Sequence, residues 1–381
     1  MNYIFISPNY PAGHWRYVAA LRNAGYNVLG IGDAGDETFP PELRGSLTEY
    51  YRVGDLHDYD AVYRACAYYV SRYGRIDDIE ALNPYWVDMV EALNMEFCAP
   101  AVSVEEHYEA ITAMSAASEQ LPPRALVTST RKATTFAEKY GYPLLLVPAR
   151  DKRLERGIAA DEKALRAKLR GVAKNSYIIY AQYGGEPVSI DGLCALDEEE
   201  NEALAAVCAH AYGADGSMYS IALSDEQKAK VLELVSDTVQ CGFFHIDAVR
   251  LEKAVPGVGR KGDIAFNDIV DAPPHEYIVD CMNVEFDCDL REIWAKGMDS
   301  FEPLEQKYFA AIACRSFDRS YKNAHEKVLR RLAGKLLLHE RVSEWERGRF
   351  ADYCYIFKGE NAAELRRSIK FITEDFEPCR S

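Results

Sequence analysis

The chain has 381 residues and a 48% hydrophobic content, enough for two or three domains or one multi-lobed body with a substantial core. Its 44 basic and 60 acidic side chains leave a net charge of −16, which argues against nucleic acid or an anionic membrane as the main partner. Ten cysteines show no CxxC pair and no metal-finger spacing, so they read as reduced thiols of a cytoplasmic protein, with Cys66, Cys208 and Cys314 in apolar or amphipathic runs. The opening MNYIFISPNYP lacks the basic flank and long apolar core of a signal peptide. No stretch approaches the roughly 18 consecutive apolar residues of a membrane span.

Residues 2–7 predict a strand, RYVAALRNAGY a helix ending at Gly25, and NVLGIGDAG a second strand running into a glycine-rich turn. This order opens a parallel α/β sheet, whose ligands lie beyond the carboxyl ends of its strands. Ser7, Asn9 and Asp33 are therefore candidate ligand contacts. GIGDAG follows the second strand and opens no first helix, so it is not a dinucleotide fingerprint. Leu43–Val53 suggests a further short element, Asp60–Tyr73 a helix, RIDDIEALN a strand ending near Asn83, and YWVDMVEALNM another helix.

Residues 103–140 read as largely helical, interrupted by the strand PPRALV. YPLLLVPA is a short buried strand, followed by the basic loop RDKRLERG with Arg150, Lys152, Arg153 and Arg156. A helix near 161–174 precedes the strands YIIYAQY and GGEPVSIDGLCAL, and DEQKAKVLELVSDTVQCG is an amphipathic helix. Residues 242–274 carry a hairpin signal, with Phe243–Leu251 and Asp263–Val270 flanking a glycine-bearing connection. Asp247 and Asp268 lie one on each strand; two carboxylates on one face repel unless a cation, commonly divalent, sits between them. The same residues also suit a turn cap or a solvent-facing role, and both readings stand. His245 is read as lying on the face opposite Asp247, and Cys241 and Cys281 have no evident histidine partner. Beyond the hairpin, HEYIVDCMNVEFDCDLREIWAKGM predicts helix with an internal loop, and LEQKYFAAIACRSF a strand or short helix. NAHEKVLRRLAG, ADYCYIFKG and NAAELRRSIKFITE then predict helix, strand and helix.

In combination, SPNYP with GIGD, RIDDIEALNPYW, FAEKYGYPLLLVP, GGEPVSIDGL, and FFHIDAVRL with GDIAFNDIVDAPP resemble the ATP-grasp superfamily, closest to its stand-alone carboxylate–amine ligases. The resemblance covers nearly the whole chain. It implies an α/β fold with α+β lobes: a parallel α/β lobe at 1–100, linker helices and a small ATP-covering lobe at 101–195, and a C-terminal antiparallel-sheet lobe at 196–381. It also implies ATP and magnesium as cofactors, acyl-phosphate chemistry and amide-bond formation.

Residue by residue, the family's ATP site falls on Val147, Arg150, Lys152, Tyr180 and Gln182, its metal ligands on Asp247 and Asp268, and its substrate contacts on Ser7, Asn9, Asp33 and Asn83. Much of that site is substituted. Val147 stands where the family has lysine, Tyr180 and Ala181 where it has hinge glutamates, Val270 for a metal-binding asparagine and Ala272 for an arginine. Asn83 is followed by Pro84 where an acid is usual. The leading expectation is a catalytically degraded homologue that binds a small ligand or a protein partner, such as an active relative or a second copy of itself. The alternative is a working Mg·ATP-dependent ligase that draws its positive charge from the basic loop.

Overall fold

The computed structural model of the chain describes residues 1–98, 120–148, 157–174, 176–197, 202–213, 215–238, 242–297, 302–342 and 350–376. Two compact units emerge, each built from separate stretches of sequence. The first comprises Met1–Ile111, Asp191–His245 and Val270–Ser381, and the second Thr112–Ile190 and Ile246–Ile269.

The first unit opens with β1 (Asn2–Ile6), β2 (Asn27–Gly32), β3 (Glu49–Arg52) and β4 (Asp78–Glu80), all parallel in the order β3-β2-β1-β4. Both faces of this sheet are covered, so its central strands β1 and β2 read as nearly unbroken apolar runs. Tyr3 and Phe5 pack with Tyr17 and Leu21 of the helix Trp15–Asn23. Ile4, Ile6, Leu29 and Ile31 pack with Val62, Cys66 and Tyr69 of the helix Tyr59–Tyr73. The Tyr69 hydroxyl donates to the Gly30 carbonyl at 2.8 Å, which satisfies the one polar atom of that buried ring. The stretch 43–53 resolves into the end of a short helix, Pro41–Ser46, and β3.

The second unit contains a four-stranded antiparallel sheet of β5 (Arg124–Leu126), β6 (Leu144–Pro148), β7 (Gly157–Ala159) and β8 (Tyr177–Ala181), ordered β5-β8-β6-β7. One of its faces, with Leu144, Leu146, Ala159 and Ile179, packs on Ala133 and Ala137 of the helix Thr130–Tyr140 and on Leu165 of the helix Glu162–Lys168.

A third, antiparallel sheet has eight strands: β9 (Gly185–Leu196), β10 (Glu202–Tyr212), β11 (Met218–Ile221), β12 (Gly242–Leu251), β13 (Ile264–Val270), β14 (Phe309–Arg315), β15 (Leu336–Arg341) and β16 (Tyr353–Gly359). Their order is β13-β12-β9-β10-β11-β14-β16-β15. The chain passes between the units within β9, β12 and β13. Residues 309–315, open between strand and helix in the sequence, are strand. Three strands of this sheet are missing from the sequence expectations: β11, β15, and β10 with its alanine-rich EALAAVCAHAY. Intrinsic preference would favour helix for β10; burial of Ala205, Ala206, Cys208, Ala209 and His210 within the sheet overrides it. Small residues are needed here, because a Cβ on Gly192 of β9 would sit 2.3 Å from the Phe244 ring and 2.5 Å from the Ala206 carbonyl. No helix among the described residues is long and apolar enough to cross a membrane.

Candidate functional site

In the parallel sheet, connections from β1 run one way to β2 and β3 and then back to β4. Its topological switch point therefore lies between the carboxyl ends of β1 and β4. Two non-glycine residues with left-handed backbones stand there, Ser7 at φ 54° and Leu82 at φ 49°. For a leucine this is a strained conformation, of the kind that clusters at ligand sites. Ser7 is buried, donates its N–H to the Ile31 carbonyl at 2.8 Å and starts the loop containing half-buried Asn9. Asp33 is exposed at the end of β2. Asn83 accepts from the Tyr85 N–H at 3.1 Å, so its side-chain carbonyl caps a short helical turn.

Glu80, the last residue of β4, is a candidate the sequence reading passed over. Its carboxylate accepts from the N–H groups of Ala81 at 2.7 Å and Leu82 at 2.9 Å. Burial pushes its pKa up to about 7; those two donors oppose the rise, and the charges of Asp78 and Asp271 add to it. The acid at the centre of DIEAL, where the strand ends, was the available signal. The loop after β1 also approaches the helix Glu276–Phe286 closely: a Cβ on Gly13 would fall 1.1 Å from the Glu276 carboxylate. Arg16 of the helix Trp15–Asn23 holds Asp280 of that helix with two bonds of 2.7 and 2.9 Å, and Arg291 of the helix Leu290–Ala295 donates to Asp280 at 2.9 Å.

In the second unit, residues directly opposite in the antiparallel register share a face. The pairs Arg124–Tyr180, Leu126–Ile178, Leu145–Tyr180, Val147–Ile178 and Leu145–Ile158 put these seven residues on the face away from the helix-packed core. Leu126 and Ile158 are exposed there, and the Arg124 guanidinium lies 6.0 Å from the Tyr180 ring centroid. Among the described residues it is an apolar face with one cation. Val147 is half-buried within it, and the Gln182 side chain folds back to donate to the Ala181 carbonyl at 2.9 Å. Arg150 and Lys152, with Arg153 and Arg156, lie outside the described residues.

The hairpin forms with β12 and β13 adjacent, closed by Leu251 N–H to Asp263 at 2.9 Å and Gly262 N–H to Leu251 at 2.8 Å. Gly257 and Gly262 take φ of 78° and 93°, values that favour glycine. Asp247 is exposed; Asp268 is half-buried and accepts from the Ile269 N–H at 3.1 Å. Val270 is half-buried and Ala272 buried. Asn267, also unremarked in the sequence, donates to the Tyr183 carbonyl at 3.2 Å and accepts from the Tyr183 N–H at 2.8 Å, replacing a strand partner.

His245 does not lie on the face opposite Asp247. His245 and Asp247 are two residues apart in an extended strand, so they share a face, as their reduced burial between Phe244, Ile246 and Ala248 confirms. His245 Nδ1 lies 2.6 Å from Asp191 Oδ1 of β9. From Asp191 a chain of contacts enters the first unit's core. Asp191 Oδ2 lies 3.1 Å from His210 Nδ1, and His210 Nε2 lies 3.2 Å from Glu285 Oε1. The Ser220 hydroxyl bonds Glu285 and accepts from the Ala310 N–H at 2.7 Å. Asp191, His210 and Glu285 are fully buried. Burial opposes charge on His210, yet the Glu285 and Asp191 carboxylates raise its pKa to about 10. Burial likewise works against the Asp191 carboxylate, but His245 and His210 draw its pKa below the usual range. Cys208, as expected, is a buried thiol; burial and the charges of Glu285 and Asp191 push its pKa well up.

No family model matches the chain, and no curated protein matches it. Solved structures do. N5-carboxyaminoimidazole synthetase from Staphylococcus aureus, complexed with ADP, superposes with a TM-score of 0.62 at 14% identity, over 97% of this chain and 96% of that one. Glycinamide-RNase-transformylase T from Mycobacterium tuberculosis gives 0.58 at 14% identity over 98% and 99%. The biotin carboxylase domain of Hydrogenobacter thermophilus 2-oxoglutarate carboxylase, solved as a dimer with MgADP, ADP and bicarbonate, gives 0.60 at 12% identity over 98% and 90%. Identities this low speak to fold alone. With its parallel four-stranded sheet, small antiparallel sheet and eight-stranded antiparallel sheet in this chain order, the protein has the ATP-grasp fold.

Proposed function

We propose that this chain is a member of the ATP-grasp ligase fold that has lost phosphoryl transfer and acts by binding a small ligand at the carboxyl ends of β1 and β4. The observation that carries this reading is the joint apolar character of three positions: Val147, Val270 and Ala272 stand where the family resemblance puts a phosphate-binding lysine, a metal-binding asparagine and an arginine. Among the described residues the donor set does not fit a magnesium nucleotide. The outer face of the small sheet suits a flat apolar ring, but among its described residues Arg124 is the one cation, and it lies against Tyr180. Asp247 and Asp268 keep carboxylates without that asparagine beside them. Removing one preorganised donor at a developing anion costs about 2.7–4 kcal/mol, and several losses in one site leave little rate enhancement even though they do not add.

The first-lobe crevice supports retained binding. Strained backbones at Ser7 and Leu82, and a Glu80 carboxyl held near neutrality by burial and its acidic neighbours, favour a ligand that brings a positive or hydrogen-bonding group. Self-association is part of the proposal, since one structural neighbour is described as a dimer. Thermal-shift titration with Mg·ATP tests the reading, together with an ADP-release assay across a panel of carboxylic acids and amines. No saturable shift and no ADP above background are expected. ADP release that Asp247→Ala abolishes would establish a working ligase instead.

A further inference from the structure

The buried contacts around His210 have the composition and spacing of a metal centre. Cys208 and His210 alternate on β10 and so project from one face of the sheet. Glu285 reaches them from the last turn of the helix Glu276–Phe286. One ligand atom from each of the three lies within 4.8 Å of the others, with His210 Nε2 3.2 Å from Glu285 Oε1 and 3.9 Å from Cys208 Sγ. Donors held at about 2.0–2.3 Å from a tetrahedral ion lie roughly 3.3–3.6 Å apart, so small side-chain movements would close the set around one ion.

Two independent features point the same way. Glu285 Oε2 is buried with no hydrogen bond among the described residues, an expensive state for a carboxylate oxygen unless a cation meets it. Asp191 Oδ2 lies 3.1 Å from His210 Nδ1, the carboxylate–imidazole arrangement that orients a metal-binding histidine with its other nitrogen toward the ion. We propose that Cys208, His210 and Glu285 are ligands of a buried zinc-type site in the core of the eight-stranded-sheet region, distinct from Asp247 and Asp268 of the hairpin. A thiolate and a carboxylate balance the charge of a divalent ion, while Asp191 remains balanced by His245. Binding releases the Cys208 thiol proton, and any second proton on His210, to solvent. Cys281, one turn before Glu285 on the same helix face and fully buried, is a further thiol beside the set. Sulfur and imidazole donors select zinc or cobalt over magnesium or calcium.

The test uses the untagged full chain, produced in zinc-supplemented medium and dialysed against a weak chelator, with metal measured by plasma mass spectrometry. About one zinc per chain is expected. Protein produced with cobalt should show a thiolate-to-cobalt charge-transfer band, absent from Cys208→Ser. Asp191→Asn should weaken metal retention about 10–100-fold, and Asp247→Ala should retain the wild-type content. Should Cys208→Ser fail to fold, Glu285→Gln with the wild-type stoichiometry decides the matter. Folded wild-type protein lacking stoichiometric zinc, or a cobalt spectrum unchanged in Cys208→Ser, overturns the proposal.

Discussion

Strand β12 touches two groups of carboxylates that differ in almost every physical respect. Asp247 and Asp268 belong to the hairpin, one exposed and one half-buried, with apolar Val270 and Ala272 further along the same segment. Two residues before Asp247, His245 enters the other group, where Asp191, His210 and Glu285 are sealed from solvent and bonded in series. An exposed carboxylate can lose its ligand and simply hydrate. A buried one cannot, because its unpaired charge has no water to stabilise it. An exposed carboxylate thus tolerates a change of partner, whereas the buried set must remain complete. Under the proposed loss of the family's ion-binding residues, this contrast accounts for a hairpin that keeps its shape.

The largest expected effect comes from breaking the buried set. His210→Ala, which leaves two carboxylates facing each other in the core, should lower unfolding free energy by about 3–5 kcal/mol in urea titration. Glu80 should give the next largest. Its folded-state pKa of about 7 lies above the ordinary glutamate value of 4.5, so its contribution is fully present below pH 4.5 and is lost as pH rises through 7. Relative to Glu80→Gln, the wild type should lose about 2–3 kcal/mol of stability across that interval. A parallel pH dependence in the two proteins would contradict the assignment. Asn267→Ala leaves the Tyr183 N–H and carbonyl without their side-chain partner and should lower stability by about 1–2 kcal/mol, with hydrogen exchange accelerated at Tyr183. Asp247→Ala, at an exposed position, should change stability by less than about 0.5 kcal/mol. A larger loss would mean that the hairpin carboxylate is structurally engaged.

Much of the fold was legible in the sequence, because apolar runs such as YIFI and NVLGI have one compatible structure once both faces are buried. The hairpin was legible through its glycines and alternating burial. Strand β10 was not: EALAAVCAHAY has the composition of a helix, and its neighbours in the sheet, far away in sequence, decide the outcome. The buried set was hidden for the same reason, since Asp191, His210 and Glu285 lie on three elements and share no sequence spacing. Nor did any pattern betray Asn267, whose partner is 84 positions away. At the candidate crevice the strand ends were readable, but the left-handed Ser7 and Leu82 were not, since neither residue type favours that backbone.

The most direct test of lost phosphoryl transfer is isothermal titration of the full chain with Mg·ATP, followed through ADP formation. The expected result is no saturable heat and no ADP. Saturable binding with ADP release, both removed by Asp247→Ala, would contradict it.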